Sequence, residues 1–207
     1  MELFRPVGLA ELGLVYDSGM RAFPPRLPGQ PIFYPVLTEQ YARQIARDWN
    51  SKTEPNAGFV TRFAIEDSFA HGFEPQRVGG KEHRELWVPA ARLDDFNRHL
   101  QGPIAVIEAF FVRDYLGEVP SDYLLKAKPA VDQLAAFADI LEYNGMDFIL
   151  EVRTNHRAVF LNYPFWALNV LPEATLAPAR RDKVLNAIRQ AWPSDRPALP
   201  DIPTVAA

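Results

Sequence analysis

The strongest constraint on the fold is a proline-rich stretch, residues 22–37, which reads AFPPRLPGQPIFYPVL. Five of its sixteen residues are proline. Each proline fixes φ and removes a backbone N–H, so the stretch disfavours both a helix and a central strand. We therefore predict a stiff surface loop that ends in an interrupted strand over 31–37 and is followed at once by a helix.

The composition is typical of a folded, water-soluble protein. Hydrophobic residues make up 48% of the chain and charged residues 23%, which is enough apolar material for a core. No run approaches the roughly 18 apolar residues that span a bilayer, and MELFRPVG lacks the pattern of a secretory signal, so we expect no membrane association and a cytoplasmic location. The chain has no cysteine, and its net charge of −4 argues against general nucleic-acid binding.

The first half of the chain mixes strand and helix patterns. Helical spacing follows the first strand at residues 8–19, and a second helix begins after Thr38, which is a suitable N-cap. The apolar face predicted for this second helix consists of Tyr41, Ala42, Ile45, Ala46 and Trp49. Strands are predicted from alternation and β-branched content at 2–6, at 58–65, after the Gly79–Gly80 turn, and at 103–112.

A weakly patterned segment, residues 113–122, separates two predicted domains, 1–115 and 116–207. Within it, Gly117 and Pro120 interrupt any regular pattern. Because strand and helix patterns begin afresh beyond this segment, we expect a second, smaller domain there.

The second domain is predicted to be a helix–hairpin–helix arrangement with a proline-rich tail. Helical stripes are expected over 129–143 and 178–192. Between them, the short apolar runs DFILEV and AVFLNY lie on either side of Asn155, a pattern that favours a β-hairpin. The tail comprises residues 193–207.

Blocks of the first 112 residues resemble a group of small bacterial proteins known as "ADP-ribosylation/crystallin J1" proteins. The blocks are LFRPVGLAEL, SGMRAFPPRLPGQPIFYPVL, GFVTRFAI, EHRELWVPAARL and GPIAVIEAFF. Their order is similar to that of the split-sheet domain of ADP-ribosyltransferases. The resemblance implies an α+β protein whose first domain has this split β-sheet, with NAD as its cofactor.

The resemblance also implies which residues would meet NAD. Arg5 matches the group that contacts the phosphates or ribose, and Phe33 and Tyr34 match the aromatic position beside the nicotinamide. Pro35 and Val36 stand where the transferases commonly have a Ser-Thr pair. Glu85 matches the catalytic glutamate, with Glu82 as the next candidate.

Other residues near these positions are candidates for the same site. His83 lies two residues from Glu85 and would contact ribose or assist proton transfer. Arg26 and Arg62, together with Arg21, would form a positive rim at the mouth of the cleft. A proline-stiffened loop that holds such charges would lower the entropy cost of binding.

Each of these residues also has a simple structural explanation. Glu85 and His83 could face solvent from a strand, and Arg5 could form an ordinary ion pair at the end of a strand. The prolines could merely bridge two elements. The aromatic patch Tyr163–Trp166 is explained either by core packing or, if exposed, by a partner surface for another protein.

Several other chemistries lack their motifs. Gly79 and Gly80 are not followed by the Lys-Ser pair of a phosphate loop, and there is no Gly-x-Ser-x-Gly sequence. The four histidines lack zinc-binding spacing, so we predict no metal. Two functions stay open: an NAD-dependent protein that transfers or cleaves ADP-ribose, and a non-catalytic protein-binding module of the immunity or antitoxin type.

Overall fold

The computed structural model describes residues 1–168, 176–193 and 200–203. These residues form two compact units, Met1–Val112 and Arg113–Ala207. The first unit contains both strands and helices, and the described part of the second is helical. The prediction of a mixed α+β protein is therefore confirmed.

The first unit is built on an antiparallel sheet. Its central strand, β3 (Ala57–Ile65), lies between β1 (Glu2–Gly8) and β7 (Leu100–Phe111). Most of β3 is buried, which fits its nearly continuous apolar sequence. Register shifts occur in the β3–β7 ladder, between Val60 and Thr61 and between Arg62 and Ala64.

Short strands extend this sheet beyond β1. A single bridge joins Phe4 to Val36, and a second joins Val36 to Glu85 in β5 (Arg84–Leu86). β5 in turn pairs with β4 (Pro75–Arg77). Elsewhere in this unit, β2 (Ile32–Phe33) pairs with β6 (Val88–Pro89).

Four α-helices belong to the first unit. They are α1 (Leu9–Asp17), α2 (Glu39–Asp48), α3 (Asp67–Ala70) and α4 (Leu93–Arg98). The predicted cap of α2 is confirmed, because the Thr38 hydroxyl accepts a hydrogen bond from the Tyr41 N–H. α2 packs against β1 and β3 through Tyr41, Ala42 and Ala46. Trp49 was predicted on this buried face, but it follows the last turn and is 57% exposed.

The proline-rich stretch is an exposed loop between two anchors. Residues 24–31 form no helix or strand, as predicted. Phe23 is buried, and its backbone exchanges two hydrogen bonds with the Asn97 amide. Phe33 is buried against the rings of Phe23 and Phe96. Both ends of the loop are therefore anchored in the aromatic core of its unit.

The second unit contains α5 (Ala130–Tyr143), α6 (Gly145–Thr154), α7 (His156–Ala167) and α8 (Pro178–Ala191). The predicted β-hairpin is wrong, because both of its strands are helices. In α6 the buried residues Phe148, Glu151 and Val152 are three and four positions apart, which is helical spacing. Asn155 lies between α6 and α7 rather than in a hairpin turn.

The aromatic patch of the second half belongs to this unit's core. Tyr163, Phe165 and Trp166 are all buried, as the core interpretation predicted, so their side chains form no exposed surface. The Trp166 indole N–H donates to the Ala130 carbonyl oxygen at 2.7 Å. Most of the predicted tail, 194–199 and 204–207, lies outside the described residues. Among those described, no helix has the length and apolar character needed to cross a bilayer.

Candidate functional site

A cleft of about 380 Å³ opens where the sheet of the first unit splits. Phe4 and Val36 exchange both backbone hydrogen bonds, at 2.9 and 2.8 Å. In an antiparallel ladder the next bonded pair along would be residues 6 and 34. Residue 6 is proline and has no N–H to donate, so the ladder stops there. Pro6 and Tyr34 then line the two sides of the opening.

Arg5 occupies the point of divergence. Its Nη1 donates to the Tyr34 carbonyl oxygen at 3.1 Å, which is the acceptor that Pro6 cannot reach through an N–H. Nε and Nη2 donate to the two carboxylate oxygens of Glu11 at 2.7 and 3.1 Å. The guanidinium carbon lies 4.6 Å from the centre of the Phe33 ring. Arg5 is therefore a buried cation fixed by an ion pair, a carbonyl and an aromatic face.

Glu85 lines the same cleft from β5. It is only 8% exposed, so the alternative of a solvent-facing strand residue is wrong. Its Oε1 accepts a hydrogen bond from the Trp87 indole N–H at 2.8 Å. Within the described part of the chain, that indole is the only hydrogen-bond donor to the Glu85 side chain, and no cation lies within ion-pair distance of it.

Aromatic side chains surround the opening. Tyr34, Tyr41 and Trp49 line the cleft. The Tyr34 ring meets the exposed ring of Trp87 edge to face, with centroids 6.1 Å apart. Burial, with a smaller effect from the negative charge of Glu85, raises the pKa of Tyr41. The phenol therefore keeps its proton at neutral pH and is able both to donate and to accept a hydrogen bond.

Arg26 lies near Arg5 but outside the cleft lining. Its Nε donates to the Ile32 carbonyl oxygen at 3.2 Å. Burial and the nearby charge of Arg5 lower the pKa of Arg26, partly offset by Glu11 and Tyr34. Two guanidinium groups thus influence each other beside one carboxylate, which leaves an excess of positive charge.

Besides Arg26, three of the predicted site residues are not brought into the cleft. Phe33 is fully buried beneath Arg5. Arg62 is exposed in β3 between the buried residues Thr61 and Phe63, and its nearest acid is Glu2 at 3.8 Å. His83 stacks on the Tyr41 ring at 4.4 Å, so it supports a cleft residue from behind.

The two nitrogens of His83 are occupied by local hydrogen bonds. Nδ1 accepts from the Gly80 N–H at 3.2 Å, so the proton belongs on Nε2, which donates to Gln44 Oε1 at 3.0 Å. This arrangement holds the ring against Tyr41. It leaves His83 no free nitrogen for proton transfer in the cleft.

Sequence reasoning missed Glu11, Tyr41 and Trp49 as residues of the cleft. The helical pattern assigns Tyr41 and Trp49 to the buried face of α2. In the structure both residues line the cleft, together with Ile45, which lies between them in sequence. The position of Glu11 in the sequence is the signal that could have identified it. Glu11 lies in the first turn of α1, which follows β1 directly, and it is six positions beyond Arg5. A cation and an acid on either side of such a short junction are within reach of each other.

Among the residues that the structure describes, no group of three or more potential metal ligands is present. Comparison of the chain with protein-family models, with curated proteins and with solved structures finds no match. The case for function therefore rests on the cleft itself.

Proposed function

We propose that the cleft binds NAD and that the protein transfers or cleaves ADP-ribose, on a first unit of the ADP-ribosyltransferase-like split-sheet type. The observation that carries this proposal is the convergence of Arg5, Tyr34 and Glu85 on one cleft. They come from three segments far apart in sequence, and the resemblance to the transferases assigns each of them to the NAD site.

The charges of the cleft suit a dinucleotide with one anionic and one cationic part. The positive charge of Arg5 and Arg26, only partly balanced by Glu11, favours the diphosphate. Glu85 supplies negative charge for the region of the nicotinamide and its ribose. Tyr34 and Trp49 offer aromatic faces for a planar ring.

In this proposal Glu85 is the catalytic carboxylate. When the bond between ribose C1′ and nicotinamide nitrogen breaks, positive charge develops on the ribose, and a fixed carboxylate in a mostly buried site stabilises it. An acceptor hydroxyl, amine or water then bonds to C1′ and loses a proton. The Trp87 indole holds one oxygen of Glu85 and leaves the other for the substrate.

The binding proposal is tested by thermal unfolding of the full chain with NAD or ADP-ribose. A ligand that binds only the folded state adds roughly 2.7 kcal/mol at about 100 times its Kd, which raises Tm by several degrees. Arg5→Ala should remove this shift. If neither ligand raises Tm at millimolar concentration, NAD binding is refuted.

The catalytic role of Glu85 is tested by nicotinamide release. We expect Glu85→Gln to reduce the rate by about 100-fold or more, because a preorganised charge is lost at the reacting centre. Glu82→Gln is the matched control, since Glu82 is an exposed acid three residues away and should retain the rate. Equal rates in the two variants would remove Glu85 from the proposed role.

The exposed aromatic rim favours a second candidate, a non-catalytic module that holds another protein. Trp49, Trp87 and Tyr34 are 57%, 48% and 36% exposed around the opening. Aromatic residues of this kind are enriched at protein interfaces. In addition, Glu11 already occupies Arg5, as expected if that arginine is structural. A protein with no NAD-dependent Tm shift and no nicotinamide release would fit this candidate.

A further inference from the structure

The residues that line the cleft carry one net negative charge. Its lining contains one cation, Arg5, and two carboxylates, Glu11 and Glu85. Arg5 and Glu11 neutralise each other through two hydrogen bonds. The guanidinium of Arg26 lies outside the lining, and its charge interacts with those of Arg5 and Glu11. The charge of Glu85 is therefore not matched by a cation of the cleft.

An unmatched carboxylate in this position is unusual. Glu85 is more than nine-tenths buried, and burial of a charge without a counter-ion is costly. Oε1 is taken by the Trp87 indole, whereas Oε2 accepts no hydrogen bond from any residue in the described ranges. The free oxygen belongs to a side chain that lines an open cleft, so its missing partner can come from outside the chain.

The surrounding groups suit an organic cation. Aromatic faces attract positive charge, and Tyr34, Tyr41 and Trp49 all line the cleft. The Tyr41 hydroxyl makes no hydrogen bond to another described residue, so it offers a second acceptor. Ile45 adds an aliphatic surface for a hydrocarbon stem.

We propose that the cleft binds a primary alkylammonium group, with Glu85 Oε2 and the Tyr41 hydroxyl as acceptors and the aromatic rings around the charge. An ammonium fits better than a guanidinium, because the planar guanidinium fork needs two carboxylate oxygens and only one is free. A divalent metal fits poorly, because it requires several oxygen ligands. This proposal does not rest on NAD binding.

The test is a titration of ¹⁵N-labelled full-length protein with n-butylammonium chloride, monitored at the indole N–H signals of Trp49 and Trp87. We expect saturable shifts with a Kd of about 1 mM, and none with the neutral isostere n-butanol. Glu85→Gln should weaken binding by about tenfold or more, whereas the exposed Glu82→Gln should not change it. The absence of saturable shifts, or equal affinity in Glu85→Gln, overturns the proposal.

Two further variants keep the test valid if Glu85→Gln fails to fold. Trp49 is exposed, so Trp49→Ala is expected to fold and to weaken n-butylammonium binding several-fold by removing an aromatic face. Tyr41→Phe should weaken it through the lost hydroxyl. Unchanged affinity in both variants overturns the proposed site.

Two probes distinguish the source of the ammonium group. Both are used only after saturable binding of n-butylammonium has been observed. A capped lysine peptide that binds more tightly than putrescine, and loses binding on Nε-acetylation, identifies a protein lysine side chain. Tighter binding of putrescine identifies a free amine. NAD is absent from these titrations, so the two proposals are tested separately. Ammonium binding without an NAD-dependent Tm shift would refute only the proposed enzymatic function.

Discussion

At the scale of single residues, the pair Arg5–Pro6 determines where the cleft forms. Pro6 stops the ladder between β1 and the segment around Val36 by lacking an N–H. Arg5 then satisfies the Tyr34 carbonyl oxygen with its side chain. Two adjacent residues thus open the sheet and stabilise the edge of the opening.

We predict that Arg5→Lys destabilises the protein by about 2 kcal/mol. Lysine cannot form the two-pronged contact with Glu11 and also reach the Tyr34 carbonyl, and hydrogen bonds to charged groups contribute roughly 1.5–3 kcal/mol. Urea denaturation measures the difference. Arg62→Lys is the control, because that exposed arginine has only a 3.8 Å ion pair and should change the free energy of unfolding by less than about 0.5 kcal/mol. Equal effects would contradict the special role of Arg5.

The sequence predicts some residues of the candidate site better than others. The resemblance to the transferases assigns Arg5, Tyr34 and Glu85 to one site, and all three line the cleft. His83 was misplaced because alternation along a strand does not extend to a residue just before β5. Trp49 was misplaced because the helical pattern shows which side of α2 is apolar and not where the cleft begins. Long-range pairing supplies that missing information.

At the scale of elements, close contact between α2 and β3 sets one wall of the cleft. The two approach at Gly58, where a Cβ would lie 2.0 Å from the Ala46 carbonyl oxygen. Only glycine allows that distance. The helix segment that carries Tyr41 and Ile45 is thereby held against the sheet.

We predict that Gly58→Ala destabilises the protein by about 2–3 kcal/mol or more, because the added methyl group must push α2 away from β3. The same shift should weaken the binding of any ligand in the cleft, which is measured as a smaller rise in Tm on adding that ligand. Gly8→Ala is the matched control. Gly8 pairs with Gly58 in the sheet, but its Cβ would meet nothing closer than 4.0 Å. If both variants unfold at the same urea concentration, the contact at Gly58 is not the cause.

The helices of the second unit show the limits of short sequence patterns. DFILEV and AVFLNY are six residues each, a length at which a buried helix and a buried strand look alike. The Asn144 side chain caps α6 by accepting from the Met146 N–H, and this capping residue gave a helix signal that the hairpin prediction did not use. α7 is buried on almost all sides, which removes the amphipathic pattern that would have identified it.

At the scale of the whole chain, burial raises the pKa of tyrosines in both units. In the second unit, burial raises the pKa of Tyr115 well above its ordinary value, and burial also raises the pKa of Tyr163. In the first unit, the pKa of Tyr41 is raised as well. Above pH 10 the unfolded chain releases these protons while the folded chain keeps them. The free energy of unfolding must therefore fall as the pH rises beyond about 10.

We predict that Tyr115 alone contributes a slope of about −1.4 kcal/mol per pH unit above pH 10, until its folded-state pKa is reached. Urea denaturation from pH 8 to pH 11 measures this slope, and Tyr115→Phe removes the titrating hydroxyl. At pH 8 that variant should be about 1 kcal/mol less stable, because it lacks the 3.0 Å hydrogen bond to Asn162 Oδ1. In the variant, Asn162 Oδ1 still accepts a hydrogen bond from the Glu118 N–H. Because this oxygen is not left unpaired, the loss of stability stays small. The stability curves of wild type and variant should converge as the pH rises, whereas parallel curves would show that Tyr115 ionises equally in the folded and unfolded states.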